Sequence, residues 1–224
     1  MTTTPFATIL KTAEKRSGGK AKLAGYFPKI KSAKALKAVS DDRYLSLMCR
    51  RIFRAGLNHT VVDQKWPAFE EVFHAFEPRR VRAMSDEALE ALMKDARVIR
   101  HWGKIKAVRE NAAAMCRIAE SHGAFGAYIA DWPSERITEL WAALGKDFSQ
   151  MGGRSGAWFL RMAGKDTFMM TGAVQRALVH WGAMKGGAKG KALIAGAQTA
   201  FNGWADQTGR PLSEISMILA RSVD

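Results

Sequence analysis

Apolar residues recur along this chain at the spacing of helices rather than strands. Leu45, Met48, Cys49, Ile52 and Phe53 follow i, i+3, i+4, i+7, i+8, which sets them on one stripe of a helix. Asp41 or Asp42 can cap its start, and Gly56 stands near its end. At about 100° per residue, Arg50 and Arg54 fall opposite the stripe and Arg51 just outside its edge. Ala55–Thr60 reads as a turn. A second helix is expected from Trp66-Pro67, with Phe69, Val72, Phe73 and Phe76 inward and Pro67 at a first helical position. Glu77-Pro78 marks its end.

Ser85-Asp86-Glu87 opens a further helix with Leu89, Leu92 and Met93 inward. Ile99–Lys104 is a polar, basic-aromatic break. Beyond it Ile105, Val108, Ala112 and Met115 predict a helix ending near Gly123, with short apolar pieces at 124–132. Ser134 opens a helix carrying Ile137, Leu140, Trp141 and Leu144. It leads into a tight turn at Gly152-Gly153, then a short helix with Trp158, Phe159 and Met162 that stops at Gly164. Thr171 can cap the next helix, a Gly-rich cationic loop follows at 184–191, and two helices close the chain. No alternating pattern of useful length occurs. The expected fold is all-α, with about ten helices.

The chain is 224 residues long and 47% apolar. It can therefore hold one large or two small folded domains, and general disorder is excluded. With 35 Lys+Arg against 21 Asp+Glu, the net charge is +14. A folded surface with that balance favours a polyanionic partner. Residues 1–40 hold nine of the bases and one acid, Glu14, and read as a basic N-terminal arm preceding a domain at 41–224. Tyr26-Phe27-Pro28 is its one aromatic interruption. The arm is either a solvated segment or an electrostatic clamp on phosphates. No apolar run is long enough to span a bilayer, and Met1–Leu10 lacks the layout of a signal peptide. Cys49 and Cys116 both fall on apolar stripes, as reduced core residues of a cytoplasmic protein do.

The glycine turn bears on chemistry. Gly152 and Gly153 let backbone N–H groups approach an outside ligand, and the helix start that follows suits an anion such as a DNA phosphate. The same residue types also make an ordinary αα-hairpin. The five histidines show no paired ligand spacing, so no metal is expected; nor is there a P-loop, a dinucleotide fingerprint or a nucleophile elbow. Asp63, Glu70, Glu71 and Asp166 are the acids nearest the turn segments. His59 and His101 sit in polar breaks.

Leu47-Met48-Cys49, Ala55-Gly56-Leu57, the run Phe69 to Met84, then Ile99-Arg100-His101-Trp102-Gly103-Lys104-Ile105 and Asn111-Ala112 resemble, in order and spacing, the 3-methyladenine DNA glycosylase I family. The similarity runs over Leu45–Met115, and the hairpin at about 141–164 adds a second match, to that family's helix-hairpin-helix motif. The resemblance implies a two-lobed, all-α enzyme that flips a damaged, alkylated base from duplex DNA and hydrolyses its N-glycosidic bond. A cationic alkylated purine is already a good leaving group, so binding plus a placed water can suffice. The hairpin residues Gly152, Gly153, Arg154, Ser155 and Gly156, with Thr171, would grip DNA.

Departures from the family pattern are specific. Arg51 stands at the family's pocket glutamate, and a guanidinium neither accepts a hydrogen bond nor attracts a cationic purine. Asn58-His59 replaces Ser-Trp, and the family's zinc ligands have no counterparts. Arg51, Asn58, His59 and Trp102 are the expected base-pocket residues, and Tyr26 can stand in for the pocket tyrosine. Ala157 occupies the place of the lyase-type lysine of the wider helix-hairpin-helix group, so a monofunctional enzyme is expected. Thr171 replaces that group's aspartate, leaving Asp63 and Asp166 as candidate activators of water. Neither cofactor nor membrane is expected; the partner is double-stranded DNA, bound by a monomer. Two rivals remain: a catalytically inactive DNA- or damage-binding protein on the same scaffold, and a helical protein-interaction domain.

Overall fold

The computed structural model describes residues 4–224, and among them there is no strand. The α-helices run in chain order as α1 (Phe6–Ser17), α2 (Lys20–Ala24), α3 (Ala33–Lys37), α4 (Asp41–Arg54), α5 (His59–Val72), α6 (Pro78–Arg82) and α7 (Asp86–Leu92). They continue as α8 (Trp102–His122), α9 (Phe125–Asp131), α10 (Ile137–Asp147), α11 (Ser155–Ala163), α12 (Gly172–His180), α13 (Gly190–Thr208) and α14 (Leu212–Ser222). The chain forms two compact units. One comprises the described part of Met1–Ile30 with Pro133–Glu139 and Asp166–Asp224; the other comprises Lys31–Trp132 and Leu140–Lys165.

The first unit corrects the expectation of a basic arm over residues 1–40. Phe6, Ile9 and Ala13 are buried on one stripe of α1, which packs against α14. Three apolar contacts at i, i+3 and i+7 are enough to fold a segment whose nine basic side chains all stay exposed. The boundary falls after Ile30 rather than after residue 40. Phe201 stacks on Phe168 with ring centroids 4.1 Å apart, and Trp204 meets Phe6.

In the second unit α4 is the central helix, and its predicted stripe is the one buried: Leu45, Met48, Cys49, Ile52 and Phe53 are all within 1% exposure. Burial pushes the Cys49 thiol up, as befits an inert core cysteine. The second predicted helix starts earlier than its proline suggested. Asn58 caps α5 by accepting from the Thr60 N–H at 2.8 Å, so the helix begins at His59 and Pro67 lies inside it. Glu77-Pro78 is a beginning as well as an end: the Glu77 carboxylate accepts from the Arg79 and Arg80 N–H groups and caps α6. Residues 124–132, read as short apolar pieces, fold into α9.

Between α5 and α6, His74, Ala75 and Phe76 all take left-handed backbone, with φ of 53°, 52° and 58°. Phe76 is thereby turned back onto Trp66, 5.4 Å away and nearly parallel, and the Ala75 carbonyl accepts from Arg43 at 2.6 Å. Each L-residue held so costs about 1 kcal/mol. Ala75→Gly is therefore expected to raise the unfolding free energy by about 1 kcal/mol in denaturant titration; a loss would show that the alanine methyl contributes packing that outweighs the strain.

Candidate nucleic-acid interface

The glycine turn lies between α10 and α11, within the second unit. A Cβ added at Gly156 would lie 3.5 Å from the Trp141 backbone, in ordinary contact, so the two helices cross closely there and leave room for no more than a methyl group. Gly153 has φ +61°, a conformation glycine adopts without steric cost. Gly152, Gly153 and Arg154 are exposed, whereas Ser155, Gly156 and Ala157 are buried beneath them. Arg154 is the N-cap residue of α11, and no side chain caps that terminus. The positive end of the helix dipole thus lies beneath an exposed guanidinium.

A residue given no role from the sequence holds this turn in place. Asn111 of α8 is fully buried. Its Oδ1 accepts from the Ser149 N–H at 2.7 Å, and its Nδ2 donates to the Ser149 carbonyl at 3.1 Å. The signal was a lone amide three residues along from Val108 on an otherwise apolar stripe. Next to it Gln150 has φ +64°, and its amide nitrogen lies 3.8 Å from where a Gly103 Cβ would be. The turn therefore sits against the start of α8.

Lys104, on the first turn of α8, is 7% exposed. Its ammonium donates to the carbonyls of Ala55 at 2.7 Å and Phe53 at 3.4 Å, the open C-terminal end of α4. Arg51 and Arg54 lie on that last turn of α4. Burial pulls the Arg51 pKa down, and the Arg154 and Arg54 charges pull it further; the Lys104 pKa is lowered by burial and then by Arg51. The Arg51 Nε is buried without a hydrogen-bond partner.

The other expected pocket residues fall in two groups. Asn58, the last residue of the α4–α5 turn, and His59, the first of α5, are exposed, as is Trp102 (40%) at the head of α8. All three share the second unit with Arg51. Tyr26 belongs to the first unit, and the Arg221 guanidinium stacks 3.3 Å from its ring centroid, a cation–π partner that sequence spacing does not show.

Neither candidate carboxylate is idle. Asp63 accepts from Arg50 and from Arg54, the latter on both oxygens. These bonds, Arg54's first, hold its carboxyl below the usual range, which makes it a poorer proton acceptor. Asp166 caps α14, accepting from the N–H groups of Leu212 at 3.0 Å and Ser213 at 2.9 Å. Thr171 likewise caps α12 through the Val174 N–H. Asp166→Ala is expected to cost about 1–2 kcal/mol, and Asp166→Asn, which keeps one accepting oxygen at the same reach, only a fraction of that. If Asp166 served as a base, both substitutions would abolish turnover alike.

Solved structures show the fold first. The chain resembles the 8-oxoguanine DNA glycosylase of Methanocaldococcus jannaschii at a TM-score of 0.55 and 13% identity, over 94% of this chain and 91% of that one. A mutant 3-methyladenine DNA glycosylase I from Staphylococcus aureus aligns at a TM-score of 0.51 and 21% identity, over 67% and 90%. This is the fold of the helix-hairpin-helix DNA glycosylases.

Within that class the model of the methyladenine glycosylase family matches residues 35–151. The chain belongs to that family. It is 33% identical over 89 residues to DNA-3-methyladenine glycosylase 1 of Escherichia coli K12, covering 40% of this chain and 48% of that protein. The corresponding enzyme of Haemophilus influenzae is 29% identical over the same length. The chain thus matches about half the length of these curated relatives.

Proposed function

We propose that this protein is a monofunctional DNA glycosylase of base-excision repair. It would draw a damaged base out of duplex DNA and hydrolyse the bond between the base nitrogen and C1′. The base leaves with the electron pair of that bond, a neutral base taking up a proton and a cationic one needing none. Water supplies the hydroxyl added at C1′, and its other proton goes to the departing base or to solvent. The observation that carries this reading is the exposed Gly152-Gly153-Arg154 turn, clamped by Asn111 and opening onto an uncapped α11, directly after the residues that match the family.

Asn58, His59, Trp102 and Arg51, all in the second unit, are our candidates for the walls of the base site. Asn58 uses its carbonyl oxygen as a helix cap and presents its NH2 group as a donor; Trp102 offers a stacking face. Gly152, Gly153 and Arg154 would hold the DNA backbone, with Ser155 and Gly156 shaping the turn beneath. A buried Ala157 where a lyase would need an amine supports hydrolysis without strand cleavage.

The engagement of Asp63 and Asp166 favours one second reading, a damage-binding protein without turnover. Duplexes carrying a panel of alkylated, deaminated and oxidised bases separate the two. A glycosylase converts at least one of them to an abasic site, revealed by alkali-dependent strand scission. Tight lesion binding with every strand left intact identifies the binding protein.

A further inference from the structure

We propose that Arg51, Arg154 and Lys104 together form a site for one DNA phosphate, so that Arg51 holds the nucleotide's backbone and not its base. The proposal rests on the reading that this chain binds duplex DNA, and it assigns to Arg51 a ligand that its place in the sequence did not suggest.

Three elements bring these cations together. Arg51 lies on the last turn of α4, Arg154 is the N-cap residue of α11, and Lys104 reaches from the first turn of α8 to the end carbonyls of α4. Helix α4 packs against both α8 and α11. The nearby acid does not balance them, because Asp63 is taken up by Arg50 and Arg54. Lys104 spends hydrogen bonds on carbonyl dipoles but keeps its charge. The Arg51 Nε, buried without a partner, sits where the neighbouring charges repel it.

Such an arrangement is unfavourable in the free protein and becomes favourable when an anion enters. A phosphodiester has one full charge and two acceptor oxygens, which match guanidinium donors from two directions. A neutral base would leave the cluster's charge uncompensated, and a cationic purine would add to it. The positive end of the α11 dipole, beneath Arg154, adds to the field that attracts the anion.

The test is binding of a short, undamaged, fluorescently labelled duplex across a salt series, by anisotropy. Arg51→Gln is expected to weaken binding by on the order of tenfold and to reduce the log–log salt slope by about one. Arg51→Lys should keep most of the slope. The double variant Arg51→Gln with Arg154→Gln should lose less than the sum of the single losses, because both groups serve one phosphate. Without DNA in low-salt buffer, Arg51→Gln should melt at or above the wild-type temperature, and added sulfate should raise the wild-type Tm more than the variant's.

An Arg51→Gln protein that binds undamaged duplex with wild-type affinity and slope, losing only its preference for a lesion, overturns the proposal and returns Arg51 to the base. A variant that melts well below wild type overturns it as well, since the side chain would then be needed by the fold. Base release and phosphate binding fail separately: an intact Arg51-dependent slope with no base released refutes the glycosylase reading and leaves this site standing.

Discussion

Asn111→Ala is expected to lower the unfolding free energy by about 2–3 kcal/mol, because it takes the partner from two part-buried main-chain groups of Ser149, each at the low end of about 1–3 kcal/mol. The bonds are 2.7 and 3.1 Å long and Asn111 is wholly buried, so an alanine there leaves Ser149 no partner on the side that faces α8. Denaturant titration measures the loss. Because the broken contacts fasten the segment just ahead of Gly152-Gly153, the variant should also bind duplex DNA more weakly at temperatures where it remains folded. Wild-type stability would show that the turn is held by α10 and α11 alone, through the close crossing at Gly156.

Arg154→Glu is expected to weaken duplex binding by on the order of 100-fold near 0.1 M salt, since it removes one phosphate contact and sets a repulsive charge in its place. The same substitution sets a carboxylate near Arg51, whose pKa burial and then the native Arg154 charge depress, so Tm should stay level or rise. Loss of affinity together with retained or increased stability is the pairing that a functional cation produces. A structural cation would lose both. Unchanged affinity would remove the hairpin from the interface.

Much of the architecture was readable from local pattern. The stripe of α4, the capping Ser85 and Thr171, and the Gly152-Gly153 turn are each set by residues within a few positions of one another, and they fold as their periodicity and caps require. Failures came where a weak local signal was overridden. In α1 the apolar stripe of Phe6, Ile9 and Ala13 is thinned by lysines and by Arg16, so charge suggested a free arm where packing on α14 makes a helix. In α5 the proline drew attention away from Asn58, whose cap starts the helix eight residues before Trp66-Pro67 is complete.

Site residues were harder to read, because what a polar side chain does depends on distant partners. Asp166 looks available until Leu212 and Ser213 are seen to donate to it. Tyr26 looks like a free aromatic until Arg221 covers its face. Arg51 drew notice for what it replaces, while its cationic neighbours Arg154 and Lys104 come from separate helices that no spacing rule connects. Asn111 stood within the stretch that resembles the family and needed only its partner at Ser149 to acquire a role.

The most direct measurement is chromatography with mass detection of free base after incubating excess protein with lesion-bearing duplex. A glycosylase releases one base in equal amount with abasic strand, and that strand breaks only on treatment with alkali. Lesion strand recovered intact while protein remains bound, or breakage without alkali, would contradict a monofunctional glycosylase.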